Sequence, residues 1–306
     1  MRTIPLGKSG LTVPCIAVGC MRINKLSDSE AEKFINTAID VGANYFDHAD
    51  IYGRGECETL FGRAIKMSPK VRESMTLQSK CGIVPGKMFD FSREHIIQSV
   101  DGILKRLSTE YLDVLLLHRP DALVEPDEVG EAFDRLREAG KVRHFGVSNQ
   151  NPMQMQLLQA SLKQPIVANQ LQMSITHAGL VAEGLHVNMM DETGVVRNGS
   201  ALDYCRLNEI TVQPWSPFQY GFFEGVFIGS EKYPELNKVL DELAAKYAVS
   251  ATTIAMAWLL RHPARLQPVT GTMNTTRLLD CVKAGDIRLT REEWYALLKA
   301  AGYTLP

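Results

Sequence analysis

Four side chains stand out by type and spacing: Asp47, Tyr52, Lys80 and His118. Asp47 and Tyr52 bracket the run Asp47-His48-Ala49-Asp50-Ile51-Tyr52-Gly53, which is too short to hold another element. Both therefore belong at the same rim of whatever sheet the preceding Asn44-Tyr45-Phe46 strand joins. Lys80 ends a strand expected over 75–80, and His118 ends the apolar run Val114-Leu115-Leu116-Leu117, so each follows by about one strand-plus-helix unit. An acid, an ammonium, a phenol and an imidazole at one rim suit proton transfer to a carbonyl oxygen. A free phenol titrates near ~10, too high for easy exchange near neutrality, and an ammonium within ~4–6 Å is expected to lower that value. The carboxylate would hold the ammonium, and the imidazole would orient the carbonyl. Taken singly, each residue has an ordinary reading: Asp47 with Lys80 as a structural ion pair, His118 as a strand-end cap. Four such groups on three consecutive strand ends favour the chemical reading.

The elements that must position these groups follow one rhythm. Gly7, Gly10 and Pro14 mark a hairpin, and Cys15-Ile16-Ala17-Val18-Gly19 reads as a first buried strand. Ser27-Asp28-Ser29-Glu30 supplies capping chemistry for a helix that runs to Gly42. Further strands are expected at 44–46, 75–80, 111–117, 142–147, 166–172, 211–215 and 266–269. Helices are expected at 57–67, 92–107, 125–139, 152–162, 202–207, 234–247, 251–261 and 275–284. Eight strands, each followed by a helix, predict a (β/α)8 TIM barrel spanning 1–306 as one domain, with an N-terminal β-hairpin and an extra C-terminal helix near 291–301. Irregular stretches at 83–91, 174–200 and 217–233 follow strands three, six and seven and are expected to wall a pocket. Met21, Arg22, Phe89, Phe91, Tyr220, Phe222 and Phe223 are candidates for its apolar lining.

At this point a family resemblance becomes specific. Asp47-His48-Ala49-Asp50-Ile51-Tyr52-Gly53, Ser79-Lys80-Cys81-Gly82, Leu115-Leu116-Leu117-His118-Arg119-Pro120-Asp121 and Gly146-Val147-Ser148-Asn149 resemble successive motifs of the aldo-keto reductases. The resemblance covers essentially the whole chain. It implies NADPH as cofactor and hydride transfer to an aldehyde or ketone, with Tyr52 as the acid and Asp47, Lys80 and His118 completing a tetrad. Ser148, Asn149 and Gln170 match residues that bind the nicotinamide amide, and Trp215 stands where an aromatic ring stacks on the nicotinamide. Ser216, Pro217, Phe218 and Gly221 fall where the pyrophosphate is gripped. Gly271, Thr272, Met273, Arg277 and Asp280 match the adenosine segment, with Arg277 facing the 2'-phosphate. Gly19, Met21, Arg22 and Asp50 border the nicotinamide in the same comparison. Many members have Lys-Ser where this chain has Gly271-Thr272, so one cation expected beside the 2'-phosphate is missing.

Composition narrows the partners. Thirty-three Lys and Arg against 35 Asp and Glu give a net charge of -2, which leaves no basic field for nucleic acid or a membrane surface. The longest apolar stretch, Thr252 to Leu260, falls short of the ~20 residues a span requires, and the N-terminus Met1-Arg2-Thr3-Ile4-Pro5 lacks the apolar core of a signal peptide. A cytoplasmic protein acting on a small aldehyde or ketone is expected, as a monomer with a homo-oligomer as the alternative. The six cysteines (Cys15, Cys20, Cys57, Cys81, Cys205 and Cys281) form no C-x-x-C pair and read as reduced, buried thiols. The seven histidines show neither H-x-H nor H-E-x-x-H, which leaves a metal-dependent hydrolase without support. Two rivals remain: a nucleotide-binding, redox-sensing regulatory subunit with little turnover, and an aldolase using Lys80 as a Schiff-base nucleophile.

Overall fold

Leu112–Leu117 is buried at every position, as a strand covered on both faces must be. In the computed structural model, which describes Met1–Pro306, eight strands form one parallel sheet. They are Ala17–Gly19, Tyr45–Asp47, Thr76–Cys81, Leu112–Leu117, Val142–Ser148, Ile166–Gln172, Thr211–Trp215 and Val269–Thr270, counted here as strands one to eight. Each lies beside its successor, and strand eight pairs with strand one. The cylinder closes between strands seven and eight, where the Gln267 N–H donates to the Val212 carbonyl at 3.0 Å. The chain thus has the expected (β/α)8 barrel fold, with helices packed outside.

Register sets the site. Gly19 lies opposite Asp47, Asp47 opposite Gln78, and Cys81 opposite Leu117, so the chemical residues of strands one to four emerge at the same C-terminal rim. The helices begin where side chains satisfy otherwise unpaired amides: Ser27 and Glu30 form a reciprocal box, and Ser92 and Asn274 accept from the amides three residues on. Several expected boundaries move for local reasons. Strand eight starts at Val269 because Pro268 has no N–H to place in a ladder. The helix expected to reach residue 67 stops at Ala64, before Lys66 turns left-handed at φ 47°. The helix from Pro152 stops at Gln159, whose side chain donates to the carbonyls of Leu162 and Gln164.

The two expected additions to the barrel are both present. The hairpin of Thr3–Pro5 and Thr12–Pro14 covers the N-terminal end, tied there by Gly7 N–H to Thr211 Oγ1 and Gln267 Nε2 to the Pro14 carbonyl, both 2.8 Å. The extra helix Arg291–Ala300 docks through Trp294, stacked on Trp258 with centroids 4.8 Å apart. Each of these indoles donates to the other's backbone carbonyl. No single helix is long and apolar enough to cross a membrane.

Candidate active site

Past strand two, the His48 and Asp50 amides continue the ladder onto the Gln78 and Lys80 carbonyls, at 2.8 and 3.1 Å. The chain then reverses through Tyr52–Gly55, with Gly53 at φ 56° and an added Cβ there lying only 2.8 Å from Asn24 Nδ2. Glycine is required by both conditions. The reversal brings Tyr52 to the barrel mouth above Lys80. The fully buried Lys80 ammonium has three donors, and all are occupied: Asp47 Oδ2 at 2.8 Å, the His48 carbonyl at 2.8 Å and Tyr52 Oη at 3.1 Å. Asp47 Oδ1 accepts from Gln78 Nε2 at 2.6 Å and Gln170 Nε2 at 3.1 Å. The His118 ring lies 5.9 Å from the Tyr52 ring at 82°, with Nδ1 buried and unpartnered. The four candidate side chains therefore converge.

Their electrostatics correct one expectation. Burial pushes the Tyr52 phenol above its ordinary value of 10; Lys80 pulls it back in part and Asp47 pushes it up again. The net direction is up, opposite to the lowering expected from Lys80 alone. Desolvation of a phenolate outweighs an ammonium whose charge Asp47 already balances. Burial would likewise depress Lys80, yet Asp47 and Tyr52 outweigh it and hold the ammonium above its ordinary value. Burial, with Lys80 and Arg119 adding, keeps the His118 imidazole well below 6.5 and hence neutral. The resting set is a neutral phenol, a neutral imidazole and a paired ammonium. Cys81 is buried and its thiol is pushed well up by desolvation, so it is inert.

A cavity of about 1460 Å³ opens at this rim, bordered by Asp47, Tyr52 and His118. Ser148, Asn149, Gln170 and Trp215 border it as a bonded set. Ser148 Oγ donates to the Gln170 carbonyl at 3.0 Å, Asn149 Nδ2 to Ser148 Oγ at 2.7 Å, and Trp215 Nε1 to Asn149 Oδ1 at 3.1 Å. Asn149 and Ser216, just past strands five and seven, hold left-handed backbones at φ 56° and 52°, a strain that singles out these two strand ends. Gly19, Met21, Arg22, Ser216, Pro217, Phe218, Gly271, Thr272, Met273 and Arg277 also line the cavity. Arg22 Nη1 donates to the Gly271 carbonyl at 3.2 Å, and a Cβ at Gly271 would lie 2.7 Å from that nitrogen. The segment that lacks the expected lysine therefore has a guanidinium over it, brought from the loop after strand one. Arg22, Lys25 and Arg277, beside the N-terminus of helix Thr275–Lys283, form a donor set suited to the phosphates of a dinucleotide.

Some expected residues lie elsewhere. Asp280 does not border the cavity; its half-buried carboxylate pairs with Lys283, 3.3 Å away. Gly221 sits in the turn of a small ribbon, Gln219–Tyr220 with Gly225–Val226, and its carbonyl accepts from Gln172 Nε2. Asp50 lies beneath the rim near Glu58, without cavity exposure. Phe91 is buried and Tyr220 packs on Tyr233, whereas Met21, Phe89, Phe222 and Phe223 do form the wall. The 174–200 loop contributes nothing to that wall, contrary to expectation. It is drawn to the C-terminal tail, where Ala178 N–H donates to Tyr303 Oη and His186 Nε2 meets the Thr304 carbonyl.

Other participants escaped the sequence reading. Gln78 and Gln213 join Tyr45 and Gln267 in a buried polar layer beneath Asp47, with Gln78 Nε2 3.0 Å from Gln213 Oε1 and Gln213 Nε2 2.8 Å from Gln267 Oε1. Their signal was present: glutamine at inward positions of buried strands. Lys25 carried no signal beyond its charge, and Arg119 stood inside a quoted motif with no role read for it.

Comparison with known proteins identifies the family. The sequence model of the Aldo/keto reductase family matches residues 15–301. The uncharacterized oxidoreductase YcsN of Bacillus subtilis is 35% identical over 302 residues, covering 94% of each chain. A 6-dehydroglucose reductase of Agrobacterium fabrum is 32% identical over 299 residues, covering 94% of this chain and 93% of its own. A thermostable aldo-keto reductase solved with the inhibitor epalrestat superposes with a TM-score of 0.78 at 27% identity, over 98% of this chain and 100% of its own. With the barrel and nearly the full length in agreement, the chain belongs to the aldo/keto reductase family and is an oxidoreductase.

Proposed function

We propose that this enzyme reduces an aldehyde or ketone to the alcohol with NADPH, Tyr52 acting as general acid and the whole chain working as one domain. One continuous apolar core from Ile4 to Leu298 supports the single domain. The observation that carries the chemistry is the bonding of Lys80. Since the Tyr52 oxygen already accepts from the ammonium, the phenolic proton is left to face the cavity. NADPH would supply the hydride to the carbonyl carbon. As charge grows on the carbonyl oxygen, Tyr52 gives it a proton, and Lys80 at 3.1 Å stabilises the phenolate left behind. Neutral His118, whose Nδ1 is buried away from the cavity without a partner, would donate a second hydrogen bond to the same oxygen through Nε2. Asp47 keeps Lys80 charged and fixed, which also removes the free amine an aldolase would require.

Ser148, Asn149 and Gln170 would hold the nicotinamide amide, Trp215 the ring, and Ser216, Pro217 and Phe218 the pyrophosphate. Arg277, with Arg22, Lys25, Thr272 and Met273, would hold the adenosine phosphate. The name 6-dehydroglucose reductase, borne by one relative, supports reduction as the direction. Replacing Tyr52 by Phe should lower kcat by on the order of 10²- to 10⁴-fold, the usual worth of a positioned acid, while NADPH binding followed by its fluorescence stays within a few-fold. A Tyr52→Phe enzyme with ordinary turnover would remove Tyr52 from the mechanism.

A further inference from the structure

We propose that Arg119 makes this cavity a site for carbonyl compounds that also carry a carboxylate, gripped by its guanidinium beside Tyr52 and His118. The inference deepens the carbonyl-reduction reading and rests on it. Arg119 directly follows His118 past strand four, is half-buried and borders the cavity. It has neither an ion-pair partner nor a hydrogen bond in the chain, although Arg22, also on the cavity wall, donates to a carbonyl. The two nearby acids are already engaged. Asp121 accepts from the Phe91 and Leu123 amides, both at 2.9 Å, and Asp47 is held by Lys80, Gln78 and Gln170. Aromatic rings flank the guanidinium, Trp215 at 5.7 Å and Phe222 at 6.0 Å to the centroids, which fix a planar cation without neutralising it.

Position separates Arg119 from the other cavity cations. Arg22 and Lys25 follow strand one and Arg277 follows strand eight, adjacent strands in the barrel, whereas Arg119 follows strand four. The phosphates of a dinucleotide have a full set of donors without it. A partly desolvated cation with no counterion is unfavourable unless a ligand provides one, and the planar fork matches a carboxylate. Ile83, Phe89 and Phe223 supply an apolar wall for the stem that joins carboxylate to carbonyl.

The test compares kcat/KM, with NADPH, for para-carboxybenzaldehyde against its methyl ester and for succinic semialdehyde against butanal. The wild-type enzyme should favour each acid over its neutral partner by on the order of 10- to 100-fold, the range for a charge-assisted hydrogen bond. Arg119→Gln should collapse that ratio, chiefly through KM, and Arg119→Lys should restore part of it. Equal rates for acid and neutral partner, or an equal fall for both in Arg119→Gln, would overturn the proposal and leave carbonyl reduction standing. A loss of NADPH binding in Arg119→Gln would also overturn it, by assigning Arg119 to the cofactor. Failure of the wild-type enzyme to reduce any of the four would overturn the reading beneath it as well.

Discussion

Two opposite charges without water hold the centre of the site: Asp47 is 2% exposed and Lys80 not at all. Such a pair persists because the other carboxylate oxygen and both remaining ammonium protons have partners, here Gln78, Gln170, the His48 carbonyl and Tyr52. Replacing Asp47 by Asn strands an ammonium in the barrel, and replacing Lys80 by Met strands a carboxylate; each should destabilise by about 3–5 kcal/mol. The double variant removes both charges and should cost less than the sum by at least ~1 kcal/mol, measured by chemical denaturation as a double-mutant cycle. Strict additivity would show that the two do not act as a pair. The identities of these residues were legible from their place at strand ends. The direction of the Tyr52 shift was not, because it depends on how much water burial removes, and no spacing reports that.

Strand five shows what the elements require. Gly146 occupies a place where a Cβ would lie 2.6 Å from Leu116 Cδ2 and 2.7 Å from the Ala168 carbonyl oxygen, between strands four and six. The register of strands five and six shifts between Ile166 and Asn169, beside this close approach. Gly146→Ala should destabilise by about 1–3 kcal/mol through overpacking, seen as a lower Tm. Because Ser148 lies two residues further along the same strand, NADPH affinity should fall as well; an unchanged Tm and affinity would mean the strands part at no cost. Strand and helix periods were readable locally, so most elements fall where expected. The short helices Pro69–Glu73 and Gly179–Leu185 and the two rim ribbons were missed, since segments so brief have too few residues to show a period.

At the scale of the whole molecule, buried titratable groups tie stability to pH. Burial raises the Asp50 carboxyl from 3.8 to about 7, with Glu58 adding and Arg106 and Lys80 opposing. A carboxyl that binds its proton more tightly when folded favours the folded state at low pH, and that contribution is lost as pH rises from 3.8 towards 7. Asp50→Asn should therefore exceed wild type in Tm at pH 8, and the gain should shrink as the pH is lowered through this window. A constant difference across the window would place the proton elsewhere. His48 acts in the opposite sense: burial holds it at about 3, so keeping its ring neutral costs stability as pH falls below 6.5.

Sequence alone determined the alternation of strands and helices, the Ser27–Glu30 cap and the placing of an acid, a phenol, an amine and an imidazole on consecutive strand ends. These are written in neighbours a few residues apart, and register carries them to one rim. Only the tertiary structure decided that Arg22 covers Gly271 from 249 residues away in the chain, that Gln78 meets Gln213 inside the barrel, and that the 174–200 loop leaves the wall. It alone left Arg119 without a counterion. Distance, burial and the company of charges arise when remote segments pack together, and it is those quantities, not residue type, that set which way a proton or a ligand is drawn.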